Sequence, residues 1–207
     1  MEKGIRYLGI LLLFAFAAAG VVSIVKAMEN RGTAQQTTYS PEALEKRLST
    51  LEDIEAIKKL QTEYVDRLQK GNFEKIEDFF TDDAVFEAVG GKIQGKEKIK
   101  KVYSDTVSKI HKGQEGDILT QPLIDLDGNN ATAKWVIYFF YFHPKTYQAE
   151  YFVQSWFDMD YRKVDGKWKI SRFNLIHHIE PPGGPPNDST FLNFLDNAQK
   201  TMQEANK

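Results

Sequence analysis

Residues 51–91, LEDIEAIKKLQTEYVDRLQKGNFEKIEDFFTDDAVFEAVGG, decide the fold of this chain. Apolar side chains recur in the first part at the spacing of one helix face: Leu51, Ile54, Ile57, Leu60, Tyr64, Val65 and Leu68. Gly71 ends this helix, because glycine accepts the left-handed conformation that follows a helix C-terminus. A short amphipathic helix over residues 73–80 and a strand over residues 84–89 are predicted next. These elements cannot bury their apolar faces on one another alone, so the rest of the chain is expected to supply a sheet.

The second half of the chain has the pattern of an antiparallel meander. After a third helix, four strands are predicted, over residues 117–126, 131–142, 147–164 and 167–179. Two of the intervening turns, Asp127-Gly128 and Asp165-Gly166, carry the Asp-Gly signal of tight hairpins. Helices followed by such a sheet indicate an α+β fold in which the strands curl over the long first helix. The third helix itself is predicted over residues 96–110.

Composition excludes several classes of function. The chain has 207 residues and a net charge of -2, which argues against a nucleic-acid binder because phosphate neutralisation needs a basic face. The absence of cysteine excludes disulfides, thiolate nucleophiles and cysteine-ligated metals. His111, His143 and the His177-His178 pair lie on separate elements without the spacing of metal ligands, so neither a metal site nor a cofactor is predicted.

The first 27 residues have the pattern of an export segment. A short charged region precedes an apolar run over residues 7–25, with alanines that suit signal cleavage at Ala19 or Ala27. The run is also close to the roughly 20 residues that span a bilayer, so cleavage and retention as a membrane anchor are both open. We expect a periplasmic or extracellular location, a flexible linker over residues 28–43 and a folded domain over residues 44–180. A Pro/Gly linker and an amphipathic helix follow over residues 181–207.

Several short stretches, in this order, resemble one known superfamily: Tyr64-Val65, Leu68, Gly71, Ile76, Phe80, Asp82-Asp83-Ala84, Gly90, Gly95-Lys96-Glu97, Pro122-Leu123-Ile124, Asp127-Gly128, Ala131 and Asp165-Gly166-Lys167-Trp168-Lys169-Ile170. They are similar to the SnoaL-like and ketosteroid-isomerase-like families of the nuclear transport factor two-like superfamily. The resemblance implies a cone-shaped barrel, a curved antiparallel sheet wrapped around a long N-terminal helix. It implies no single function, because this fold hosts isomerases, dehydratases, cyclases, hydrolases and non-catalytic binders.

The resemblance carries over to the site only in part. Tyr64 stands where the isomerases keep the tyrosine that hydrogen-bonds a developing oxyanion. The isomerase base position is Ala88 here, and the adjacent Glu87 faces the other way unless a bulge turns it inward. The tyrosine–aspartate pair of dehydratase-like members falls at Leu68-Gln69, and their histidine falls near Gly116-Asp117. Neither catalytic set is intact.

Other candidates come from position in the predicted sheet. Asp117, at the mouth of the sheet, is a candidate general base if it is desolvated, and otherwise a loop-end aspartate. Counting by two from Trp168 predicts that Asn174 and His178 face the interior. Tyr64 is either an oxyanion donor or a core tyrosine whose hydroxyl is satisfied locally.

Aromatic runs place large rings on both faces of the sheet, with Trp135, Tyr138 and Trp156 joining Asn174 as candidate ligand contacts. One face is expected to line an apolar pocket, and the other to meet the C-terminal helix or a partner in a homodimer.

The function that follows is binding of a small hydrophobic molecule, with cofactor-independent isomerase, dehydratase or cyclase chemistry. Tyr64 would be the hydrogen-bond donor, and Asp117, His178 or Glu87 the base. The alternative is a non-catalytic ligand-binding or dimerisation module with a degenerate active site.

Overall fold

The computed structural model describes residues 39–88, 91–109, 111, 116–142, 149–179 and 200–204, without the side chains of 141–142, 149–151 and 177–179. The predicted export segment, nearly all of the expected linker and the Pro/Gly-rich stretch lie outside these residues. No helix within them is long and apolar enough to cross a membrane. The chain divides into two compact units, residues 1–46 and 47–207, and the strands and the candidate site belong to the second.

Helix α1, Pro41–Gln69, begins and ends where the local signals predict. Proline suits a first helical turn, and the Ser40 hydroxyl accepts the backbone N–H of Ala43 at 3.2 Å. At the other end Gly71 adopts a φ of 60°. The face that packs on the sheet consists of Ile57, Gln61, Tyr64, Val65 and Leu68. Leu51 is 59 % exposed, so the packed face starts later than the apolar spacing predicted.

The segment after α1 differs from the prediction. The short helix is only a 3-10 turn, Ile76–Phe79, and strand β1, Phe80–Ala88, starts four residues early. Phe79 and Phe80 are both buried, and consecutive apolar residues of this kind fit a short helix and a strand equally well.

A short β2, Gly91–Gln94, leads into helix α2, Lys96–Asp105. This helix ends five residues before the predicted end, and a 3-10 turn, Val107–Lys109, follows it.

Within the described residues the sheet has seven strands. After β1 and β2 come β3 (Ile118–Leu119), β4 (Leu123–Asp127), β5 (Asn130–Phe142), β6 (Ala149–Val164) and β7 (Lys167–Ile179). Their order is β2-β1-β7-β6-β5-β3, with β4 also paired to β5. All pairs are antiparallel except β1 with β7. The sheet is curved and does not close on itself, which confirms the α+β class and the cone-like architecture.

The predicted strand over 117–126 is two strands. Residues 120–122 separate them, and Pro122 has no N–H to donate to a ladder.

A bulge in β7 reverses the side-chain alternation. Tyr161 pairs with Ile170 and Asp160 with Arg172, so Ser171 is an extra residue on β7. Trp168 and Ile170 face α1 as predicted, but Phe173 is the next buried residue. The prediction that Asn174 faces the interior is therefore wrong. Counting by two cannot detect an extra residue.

Truncation of two adjacent residues that follow this bulge tests the alternation. Phe173 is 2 % exposed, so Phe173→Ala should lower the free energy of unfolding by about 3–5 kcal/mol. Asn174→Ala, on the adjacent residue, should change it by less than about 0.5 kcal/mol. Urea denaturation of both variants measures the difference. A larger loss for Asn174→Ala than for Phe173→Ala would contradict the register.

Candidate ligand cavity

A cavity of about 70 Å³ lies between α1, α2 and the inner face of the sheet, the face that packs on α1. Most of its wall is aliphatic or aromatic, with rings contributed by Phe86, Phe139, Phe157 and Phe173. The polar groups in the wall come from four residues: Tyr64, Tyr103, Thr106 and His111. An apolar cavity with few polar groups is the usual form of a small-molecule site.

Tyr64 is held by the aromatic core around it. It is 1 % exposed, and its ring lies 5.9–6.4 Å, centroid to centroid, from the rings of Phe79, Phe80, Phe157 and Phe173. Most of these contacts are edge-on, the geometry that aromatic pairs favour. The ring therefore has little freedom to turn, and the position of its hydroxyl is fixed.

The hydroxyl of Tyr64 forms a hydrogen bond with the hydroxyl of Tyr103, which either group can donate. Tyr103 is also 1 % exposed and comes from the buried face of α2. The bond joins residues 39 positions apart in the sequence and links α1 to α2 at the cavity wall.

Burial keeps both phenols protonated. It raises the pKa of Tyr64, a rise that the hydrogen bond from Tyr103 opposes and the negative charge of nearby Asp117 reinforces. Burial likewise raises the pKa of Tyr103 well above its ordinary value. The pair is therefore neutral at physiological pH, and one of its two protons is free to be donated to a ligand.

His111 is a cavity residue that the sequence did not single out for this role. It is 8 % exposed, and its ring centroid lies 6.4 Å from that of Phe139. Its backbone N–H donates to the carbonyl of Val107 at 3.0 Å, which continues the turn after α2. A neutral imidazole carries one nitrogen that donates and one that accepts, so His111 supplies a group able to accept or donate a proton inside the wall.

Asp117 does not line the cavity, although its charge acts on Tyr64. It is 7 % exposed and lines an open cleft of about 720 Å³ on the other side of α1, together with Gln69 and Trp135. The side-chain amide of Gln69 donates to the backbone carbonyl of Asp117. The resemblance expects an aspartate at Gln69 and a histidine near Asp117. These two residues are in contact, but this chain has a glutamine and an aspartate there.

Several predicted site residues lie on the outer face of the sheet, away from the cavity. Glu87 pairs in register with Asn174, whereas its neighbours Phe86 and Ala88 line the cavity. The irregularity in β1 comes before Val85, so it does not turn Glu87 inward.

The aromatic candidates also lie outside the cavity. The Tyr138 hydroxyl accepts from Gln154 at 3.0 Å, and Trp156 is 37 % exposed. Trp135 faces inward, but its indole N–H donates to the Tyr161 hydroxyl at 3.0 Å, and that hydroxyl donates to Gln61 at 2.8 Å. The side chain of His178 lies outside the described residues.

Of the sequence-based candidates that the structure describes, only Tyr64 borders the cavity. Within the described part of the chain, no cluster of three His, Asp or Glu side chains could hold a metal ion.

The curved α+β sheet around α1 is the nuclear transport factor two-like fold. A family model described as a SnoaL-like domain matches residues 49–174, more than half of the chain, so the chain belongs to the SnoaL-like domain family.

Solved structures share this fold at low sequence identity. A putative scytalone dehydratase from Novosphingobium aromaticivorans is 18 % identical, with a TM-score of 0.56 over 68 % of this chain and 97 % of that one. A hexachlorocyclohexane dehydrochlorinase is 17 % identical, with a TM-score of 0.57 over 66 % and 99 %. An NTF2-like protein with a cystatin-like fold, also from N. aromaticivorans, is 18 % identical, with a TM-score of 0.57 over 75 % and 96 %. No curated protein matches the chain significantly in sequence.

Proposed function

We propose that the domain binds a small, largely apolar molecule that places one hydrogen-bond acceptor on the Tyr64–Tyr103 pair. The observation that carries this proposal is the pair itself, two neutral phenols bonded to each other in an apolar cavity wall. Water competes poorly for donors in such a place, so a carbonyl oxygen there gains a strong hydrogen bond. The proposal needs no charge on the ligand.

We also propose cofactor-independent proton transfer in this cavity. His111 would take a proton from the carbon next to the ligand carbonyl. The electrons of that C–H bond would form a C=C bond, and the carbonyl electrons would move to the oxygen, which the tyrosine pair would stabilise. The protonated His111 would return its proton to the same or a conjugated carbon. Family membership and the dehydratase and dehydrochlorinase names of two similar structures support chemistry of this kind.

The second candidate is a binding module without catalysis, and one observation favours it. Ala88 lines the cavity at the position where the resemblance expects the aspartate base. No carboxylate lines the cavity among the described residues.

Acetone in D₂O separates these functions, because its carbons next to the carbonyl exchange protons only when a base removes them. Wild-type protein should bind acetone and speed its deuteration, measured by ¹H NMR. Tyr64→Phe combined with Tyr103→Phe, which removes both hydroxyls, should weaken binding about tenfold, the value of about one lost hydrogen bond. His111→Asn should keep binding and lose the exchange. Tyr138→Phe, which removes a hydroxyl on the outer face, should change neither.

Binding without exchange would overturn the catalytic proposal in favour of the binding module. Absence of binding would overturn the ligand proposal as a whole.

We further propose that the outer face of the sheet pairs with a second copy of the chain. Four exposed apolar residues share this face on β3, β6 and β7: Ile118, Phe152, Trp156 and Ile176 are 54, 41, 37 and 40 % exposed. Trp156 and Ile176 are directly opposite in the β6–β7 register. Several exposed apolar side chains on one face are typical of an interface, and a two-fold pair would cover that face with itself.

Sedimentation equilibrium tests the homodimer. Wild-type protein should be dimeric at micromolar concentration, and Trp156→Lys should be monomeric because the new charge would be buried in the interface. Leu51→Lys places the same charge on an exposed leucine of α1 and should remain dimeric. A monomeric wild-type protein, or a dimeric Trp156→Lys variant, would contradict the proposal.

We also propose that the chain is exported, so that it meets its ligand in the periplasm or outside the cell. Support comes from the sequence of residues 1–27 alone. N-terminal sequencing of protein from the cell envelope and medium would distinguish cleavage from anchoring, and recovery of an intact N-terminus only in the cytosol would refute export.

A further inference from the structure

The cavity is small for the ligands that proteins usually hold in closed pockets. Its volume is about 70 Å³, whereas an engineered apolar cavity of ~150 Å³ binds benzene and drug-sized ligands occupy ~300–1,000 Å³. As it stands, the cavity accepts molecules smaller than a six-membered ring. The residue that limits its size therefore decides which ligands the domain takes.

Met202 is the cavity residue that can be shortened without changing the helices and strands that form the rest of the wall. It is 2 % exposed, and it is the only residue lining the cavity that comes from the described helical segment 200–204. The remaining wall comes from α1, α2, the turn after α2 and the sheet, which pack on one another.

Thr201, which precedes Met202, anchors the segment 200–204 to the turn after α2. The Thr106 hydroxyl, in the turn after α2, donates to the Thr201 hydroxyl at 2.7 Å. On another side, Met202 lies close to Gly91 of β2: a side chain at position 91 would have its Cβ 3.8 Å from the Met202 Cβ, an ordinary van der Waals contact. Met202 is therefore seated against β2 and beside α2.

We propose that Met202 is the specificity-determining residue of the cavity, which it restricts to short-chain carbonyl compounds smaller than a benzene ring. The proposal rests on the proposed ligand function, in which the Tyr64–Tyr103 pair keeps its role as hydrogen-bond donor. Methionine is unbranched and flexible, so it fills the cavity without contributing a polar contact to the ligand. A shorter side chain at this position would leave the tyrosine pair in place and enlarge the space in front of it.

Benzene tests this role separately from the hydrogen-bonding chemistry, because it has no acceptor for the tyrosine pair. Met202→Ala should bind benzene at least about tenfold more tightly than wild-type protein does, the smallest factor that a missing methylene is worth in an apolar pocket. NMR titration measures the affinity. Met202→Leu, which nearly conserves volume, and Gln203→Ala, on the exposed neighbour, should both behave as wild type.

Met202→Val is a milder truncation and should give an intermediate affinity, which keeps the test available if Met202→Ala does not fold. Equal benzene binding by wild-type protein and the truncated variants would overturn the role of Met202. Benzene binding that rises with truncation, in a protein that does not bind acetone, would support Met202 as the size limit while refuting the tyrosine-pair function.

Discussion

Two phenol hydroxyls buried in an apolar interior must each have a hydrogen-bond partner, and here they are partners for each other. Leaving either one unpaired would cost about 1–3 kcal/mol. Because Tyr64 belongs to α1 and Tyr103 to α2, this requirement fixes how the two helices meet over the sheet. The rings that surround Tyr64 come from the turn before β1 and from β1, β6 and β7, so the same contact organises the core.

The shape of the sheet explains why a cavity remains beside this pair. The extra residue Ser171 bends β7 and turns Phe173 inward, where its ring stacks on Phe86 at 4.7 Å. The polar side chains that alternate with these rings lie on the outer face. There Arg172 bridges Asp158 and Asp160, at 3.1 and 2.8 Å. Charge is thus satisfied outside, and the inner face presents rings and a few neutral donors to the cavity.

The parts of the fold that the sequence predicts are those set by local chemistry. These signals influence only the few residues next to them. The structure has helix ends near Pro41 and Gly71 and a hairpin at Asp165-Gly166. The bulge at Ser171 was missed because register depends on pairing with both β6 and β1. Helical spacing places Tyr103 on a buried face, but no local signal indicates that its hydroxyl meets Tyr64. His111 follows a helix that ends early, where spacing predicted more helix.

The most direct test of the account is a double-mutant cycle on the two tyrosines, measured by urea unfolding. Tyr64→Phe and Tyr103→Phe should each destabilise the domain by about 1–3 kcal/mol, because each leaves one buried hydroxyl unpaired. The double variant should lose less than the sum, since it removes both hydroxyls together. Losses that add, or single variants as stable as wild-type protein, would show that the two hydroxyls do not form the bond on which the structure depends.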